Sequence, residues 1–251
     1  MLLIKYLSHA GVEARRKCEA IIKAGRVTVS GKLVTDPAFE VAANSTVKVD
    51  NRPVQISDHQ YYLLNKPHGV ISTARDPHGR DKVTDLVPKK GRLYPVGRLD
   101  ADTTGLILVT NDGDLANLLT HPRYEVPKTY RATLAGYLPQ TSVKRLRSGI
   151  ELEDGKTGRA GVKLLRAGGR ESRADITIRE GKNRQVRRMF AALGHPVVSL
   201  ERVQFGTIKL GGLSPGQFRQ LAPSEVTTLK KMAKTATAPR QRSAGRAPAK
   251  A

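Results

Sequence analysis

The chain has 251 residues, 39% of them hydrophobic, and carries 44 Lys and Arg against 22 Asp and Glu for a net charge of +22. That is enough apolar material for one large domain or a large and a small one, and the charge excess favours a polyanionic partner gripped through its phosphates. One cysteine, Cys18, excludes an intrachain disulfide framework, six scattered histidines without any CxxC exclude a zinc site of ordinary spacing, and no apolar run approaches the ~18 residues of a membrane span.

Met1-Leu2-Leu3-Ile4 meets Lys5 at once instead of a signal-peptide core, so a cytoplasmic protein with no membrane association is expected. Leu3, Ile4 and Leu7 fall on one helical face that Gly11 closes. A second helix is predicted from about Glu13 to Ala24, with Ala14, Cys18, Ile21 and Ile22 inward and Arg15, Arg16 and Lys23 outward. Val27 and Val29 alternate, Ser30-Gly31 turns, and Val47 and Val49 alternate again. This order of helix, helix and short strands resembles the RNA-binding domain first seen in ribosomal protein S-four, including Gly25-Arg26-Val27-Thr28-Val29 and the Arg15-Arg16 pair. A bare arginine pair is a solvated helix face; within this pattern, Arg15, Arg16, Lys23 and Arg26 are expected to meet RNA phosphate. The small unit spans residues 1–56, with a polar linker at 57–60.

From Tyr61 the pattern changes. Tyr61 to Lys66 reads as a strand ended by Pro67, Tyr130 to Leu134 and Ala174 to Ile178 alternate with period two, and Val186, Met189, Phe190 and Leu193 mark a helix stopped by Gly194 and Pro196. Strands outnumber helices, which predicts an α+β domain over residues 61–232 with a mostly antiparallel mixed sheet flanked by helices. Residues 233–251 are basic, acid-free and poor in apolar side chains, and are expected to be a disordered tail.

The segment Gly97-Arg98-Leu99-Asp100-Ala101-Asp102-Thr103-Thr104-Gly105 through Thr110-Asn111-Asp112-Gly113-Asp114 sets four aspartates in a basic protein, where they would repel a phosphate backbone. On residue chemistry alone each reads as a turn or helix cap, with Asp114 placed to cap a Leu115–Leu119 helix. The segment as a whole is similar to the GRLDxxTxGLxLxTNDG signature of the bacterial ribosomal-RNA pseudouridine synthases. Glu125 to Ala132 resembles that family's second motif and Glu180 to Met189 its third, so the resemblance covers nearly the whole chain. Glu151 to Thr157 and Arg202 to Gly206 look most like the branch acting on large-subunit ribosomal RNA.

The resemblance implies that Asp100 is the catalytic aspartate, that Tyr130 stacks on the target base and takes the carbon-five proton, and that Arg187 pairs with Asp100 and keeps it ionised in a dry site. It implies base flipping, with Arg98 filling the vacated space, further RNA contacts from Lys182, Arg184 and Arg188, and no cofactor. Partners are then ribosomal RNA or a ribosomal precursor particle, met by a monomer. Alternatives are a ribosome-assembly protein that binds the RNA without catalysis, or the same activity on small-subunit RNA.

Overall fold

Leu3 and Leu7, one helical turn apart, bury together against Cys18 and Ile22, and this four-residue contact starts the first unit of the chain. The computed structural model describes residues 1–235 other than 75, 89 and 90, so most of the expected tail lies outside the described residues. Helices α1 (Leu3–His9) and α2 (Arg15–Lys23) pack on strands β1 (Val27–Val29), β2 (Lys32–Leu33), β3 (Val47–Val49) and β4 (Arg52–Val54). These strands form an antiparallel sheet in the order β2-β1-β3-β4. Gly11 takes a left-handed turn just past α1. Ala14 is exposed, contrary to expectation, because α2 starts one residue later and leaves it as the flanking cap.

The larger unit contains β5 (Tyr61–Lys66), β6 (Tyr94–Pro95), β7 (Thr103–Thr110), α3 (Gly113–Thr120), β8 (Lys128–Ala135), α4 (Gln140–Ser148), β9 (Gly161–Arg166), β10 (Glu171–Ile178), α5 (Gln185–Ala191), β11 (Val197–Phe205), β12 (Ile208–Lys209), β13 (Phe218–Gln220) and α6 (Pro223–Thr235). Its nine-stranded sheet runs β13-β5-β7-β11-β8-β10-β9, with β12 on β11 and β6 on β7. The β7–β11 pair is parallel and the others are antiparallel, the mixed α+β arrangement expected.

Strand alternation divides the apolar residues between cores. Leu63, Leu106 and Leu108 face Leu115 and Leu119 of α3 and Val226 and Leu229 of α6. Their neighbours Tyr62, Leu64, Ile107 and Val109 pack instead with Val70, Val83, Val87, Leu93 and Leu99. A third core joins β8, β9 and β10 to Val143 and Leu146 of α4 and to Val186, Met189 and Phe190 of α5.

Asp112 is the cap of α3: its Oδ1 accepts from the Leu115 amide at 2.9 Å. Asp114, the residue expected there, lies one position inside the helix and pairs with Lys5 at 3.3 Å. Asn111 fastens the polar stretch before β5, accepting from Gln60 N at 2.7 Å and donating to Asp58 O at 3.0 Å.

The parallel seam depends on Gly105. Its φ is +97°, and a Cβ there would stand 2.5 Å from the Arg202 carbonyl oxygen and 2.7 Å from the Arg202 nitrogen. Backbone cannot move away as a flexible side chain can, so only glycine lets β7 approach β11 this closely. Gly105→Ala is expected to cost about 3 kcal/mol or more through combined strain and clash. Gly136→Ala, also at positive φ but with nothing within 4 Å of the added Cβ, should cost only about 1 kcal/mol. Urea unfolding of both variants checks the difference; equal losses would remove the close approach as the cause.

Candidate active site

Asp100 lies in the loop between β6 and β7, where the chain has left the β5–β7 core and turns toward α5. Its side chain is 40% exposed and lines a cavity of about 490 Å³. Tyr130, on β8 and directly opposite Arg202 of β11, lines the same cavity, as do Arg98, Lys182, Arg184 and Arg187. Residues more than eighty positions apart in sequence therefore converge on one opening. Asp102, Asp112 and Asp114 do not line it.

The arginines are arranged differently from the sequence expectation. Arg184 Nη1 reaches Asp100 Oδ2 at 3.4 Å and Asp102 Oδ1 at 3.3 Å, and its Nη2 reaches Asp102 Oδ2 at 3.0 Å. Arg187 meets Asp102 instead of Asp100: Nη2 donates to the Asp102 carbonyl at 3.0 Å and stands 3.3 Å from Oδ2. The expected Arg187–Asp100 pair is thus corrected to an Arg184 bridge across both carboxylates, with Arg187, only 14% exposed, fixing the backbone between them. Asp100 lines the cavity and Asp102 does not, although both side chains are 40% exposed. Asp100 is also far from dry.

The Arg184 hydrogen bond, aided by the charges of Arg187 and Arg184, holds the Asp102 carboxyl below the usual carboxylate range despite its partial burial. Arg184 has a left-handed backbone, φ +46°, at the entry to α5. Such a conformation is costly for a residue with a Cβ, and here it coincides with the side chain that spans both aspartates.

The other expected RNA contacts divide into committed and open groups. Lys182 Nζ donates to the Asp154 and Gly155 carbonyls at 3.0 and 2.8 Å, and Arg188 forks onto Asp154 at 2.8 and 3.0 Å. Both tie the 154–156 loop to the segment 182–188. Lys23 pairs with Glu19 at 2.7 Å, and Arg26 forks onto Asp50. Arg15, Arg16 and Arg98 are exposed and make no hydrogen bond or ion pair among the described residues.

The fold agrees with comparisons to known proteins. Residues 60–192 match the family described as RNA pseudouridylate synthase, and residues 1–47 match the S4 domain. The chain belongs to the RNA pseudouridylate synthase family. The synthase is 46% identical over 236 residues to the ribosomal large subunit pseudouridine synthase B of Bacillus subtilis, spanning 92% of this chain and 96% of that one. It is 42% identical over 241 residues to an uncharacterized RNA pseudouridine synthase of Aquifex aeolicus, spanning 95% of this chain and 97% of that one. A crystal structure of a pseudouridylate synthase matches with a TM-score of 0.67 and 31% identity, covering 91% of this chain and 99% of that one.

Three basic residues at the synthase cavity or beneath its loop escaped the sequence reading. Lys128 and Arg202 line the cavity. Lys66, fully buried at the end of β5, donates through Nζ to the carbonyls of Pro67 at 2.9 Å, Val70 at 2.6 Å and Ala101 at 3.2 Å. It ties the loop between Asp100 and Asp102 to the sheet. The available signal was a cation closing an otherwise apolar strand, a placement that burial tolerates only with several acceptors.

Burial lowers the Lys66 ammonium to about 8, against the pull of Asp102 and Asp100. Lys66→Met is expected to cost about 2–4 kcal/mol, because three carbonyls lose their donor. The pH sign follows from proton counting: between pH 8 and the ordinary lysine value of ~10.4, the unfolded chain holds more protons at this site than the folded one. Wild-type stability should therefore rise relative to Lys66→Met across that window and run parallel to it below. Chemical unfolding at pH 7, 8, 9 and 10 measures this, and a gap that narrows with pH overturns it.

Proposed function

We propose that the synthase converts a uridine of large-subunit ribosomal RNA to pseudouridine, with Asp100 as its catalytic carboxylate. The observation that carries this reading is that Asp100, alone among the four aspartates of its segment, lines the cavity. The others have structural partners: Asp102 holds two arginines, Asp112 caps α3 and Asp114 pairs with Lys5. Similarity to the Bacillus subtilis large-subunit enzyme supports the choice of RNA.

The reaction breaks the bond from ribose C1′ to uracil N1, turns the base, and joins C1′ to C5, with no net oxidation. A single carboxylate suffices, either by attacking C1′ or by removing the neighbouring sugar proton. Water must be excluded from C1′ meanwhile, which separates this chemistry from glycoside hydrolysis and its second carboxyl group. Arg184 orients Asp100 while Arg187 holds the loop beneath. Tyr130 offers a ring for stacking and a phenol, without a hydrogen-bond partner among the described residues, for the C5 proton. A paired uridine reaches such a cavity only when flipped from its helix, and Arg98, exposed and lining the cavity, is the side chain assigned to fill the gap. Among the described residues no helix is long and apolar enough to cross a membrane.

Asp100→Asn keeps the side-chain shape but removes nucleophile and base. Tritium release from ribosomal RNA labelled at uracil C5 should fall by about 10³-fold or more, while RNA affinity and melting temperature hold. Release near the wild-type rate would reassign the carboxylate. Arg15 and Arg16 are exposed cations of the S4 domain without a partner among the described residues, so the double change to Gln should flatten the fall of log affinity with log salt by about 0.7–0.9 for each phosphate no longer neutralised. The rate at saturating RNA should stay unchanged; a slope equal to wild type would place RNA on another face.

A further inference from the structure

Beyond Asp100 and Tyr130, the deepest part of the cavity is built from cations that the chemistry above does not use. Arg202 is 2% exposed and lines the cavity. Its Nε donates to the Leu106 carbonyl at 2.7 Å, while Nη2 is buried with no hydrogen-bond partner among the described residues. A buried guanidinium donor left open is costly unless something meets it. Lys128 Nζ, also lining the cavity, has one long contact of 3.3 Å to the Val126 carbonyl. Both cations stand over the Phe205 ring, Arg202 at 4.9 Å and Lys128 at 5.8 Å from its centre. Neither is paired with a carboxylate among the described residues.

Pairing across β8 and β11 places these groups together. Arg202 is opposite Tyr130, and Phe205 is opposite Lys128. A flipped base resting on Tyr130 with its sugar at half-exposed Asp100 points its far edge inward, away from the rim. In uridine the ring atom opposite N1 is C4, so the group that arrives deepest is the O4 carbonyl.

We infer that Arg202, with Lys128 beside it, is the recognition floor for the uracil carbonyl opposite the glycosidic bond. This rests on the function proposed above and adds the part that distinguishes and stabilises the base. Arginine and ammonium donate only, so a carbonyl satisfies them, whereas cytosine would present its amino group, another donor, and is rejected. When C1′–N1 breaks, the bonding pair goes to N1 and is shared through C6=C5 with O4, which the floor stabilises as negative charge grows. The base then turns about the axis through N3 and C6, exchanging N1 with C5 and C4 with C2. C5 bonds to C1′, its proton leaves, N1 takes up a proton, and the carbonyl at the floor is now O2. The floor therefore receives a carbonyl oxygen before and after rotation. Burial, reinforced by the Arg202 charge, lowers the Lys128 ammonium to about 8, so the second cation weakens in alkaline solution.

The test is a cycle between enzyme and substrate. Single-turnover pseudouridine formation is measured on large-subunit RNA transcripts carrying uridine or 4-thiouridine, since sulfur is the poorer acceptor. Any effect of sulfur on RNA folding is common to all enzymes and cancels. For the wild type, sulfur should slow the reaction about tenfold or more, the scale of one charge-assisted hydrogen bond. Arg202→Met should be slow on uridine and less than about threefold sensitive to sulfur, with unchanged RNA affinity and salt slope. Lys128→Met, which leaves the seam residue in place, should lose part of the sensitivity and serves if Arg202→Met melts early. Equal sulfur effects in wild type and Lys128→Met overturn the floor, as does a drop in RNA affinity with a flatter salt slope, which would make these phosphate contacts. The wild-type rate on uridine reads the parent proposal separately.

Discussion

The close approach of β7 to β11 at Gly105 is the constraint on which this protein is built. It is the parallel pair in an otherwise antiparallel sheet, and it joins two sub-sheets, β13-β5-β7 on one side and β11-β8-β10-β9 on the other. Asp100 enters from the first and Tyr130 from the second, with Arg187 on the helix that precedes β11. Arg202 crosses the seam to the Leu106 carbonyl. The cavity is the meeting line of the two halves, so a methyl group at Gly105 acts on every residue that lines it.

Electrostatics in the cavity follow from its role as a meeting line. Arg98, Lys128, Arg179, Lys182, Arg184, Arg187 and Arg202 face two lining carboxylates, Asp100 and Glu180. So many cations in one place repel each other, and Asp102 relieves the crowding by holding Arg184 and Arg187. Asp100 is thereby left with a single long contact and an open oxygen. Two aspartates two residues apart have opposite duties because only one of them faces the opening.

The sequence revealed much of this where chemistry is carried by contiguous motifs. Asp100, Tyr130 and Arg187 stood out through family resemblance, and the cavity does collect them, as the period-two runs did place β8 and β10. What sequence could not convey is which partner a long side chain chooses. Arg187 is three residues beyond Arg184, less than one helical turn, and nothing in that spacing says that Arg184 bridges the aspartates while Arg187 stays behind. Lys182 and Arg188 read as open cations because their acceptors, in residues 154–156, are distant in sequence. Lys66 read as the end of a strand, and Lys128 and Arg202 only as parts of family-like segments; their burial is created by tertiary packing, to which local periodicity is blind. Asp112, two residues before Asp114, is the cap instead, within the ordinary uncertainty of a helix end.

Asn111 holds residues 58 and 60, and Thr110 reinforces the hold by donating to the Gln60 carbonyl at 2.5 Å. The link between the S4 domain and the sheet is thus fastened within a few residues of β4, and Lys5 of the first helix is tied to Asp114 of α3. The same Thr110-Asn111-Asp112 segment that follows the Asp100 loop therefore also sets the span between the S4 domain and the cavity. An RNA met at both the S4 domain and the cavity would therefore have its two contacts held a fixed span apart, which makes length a criterion alongside sequence.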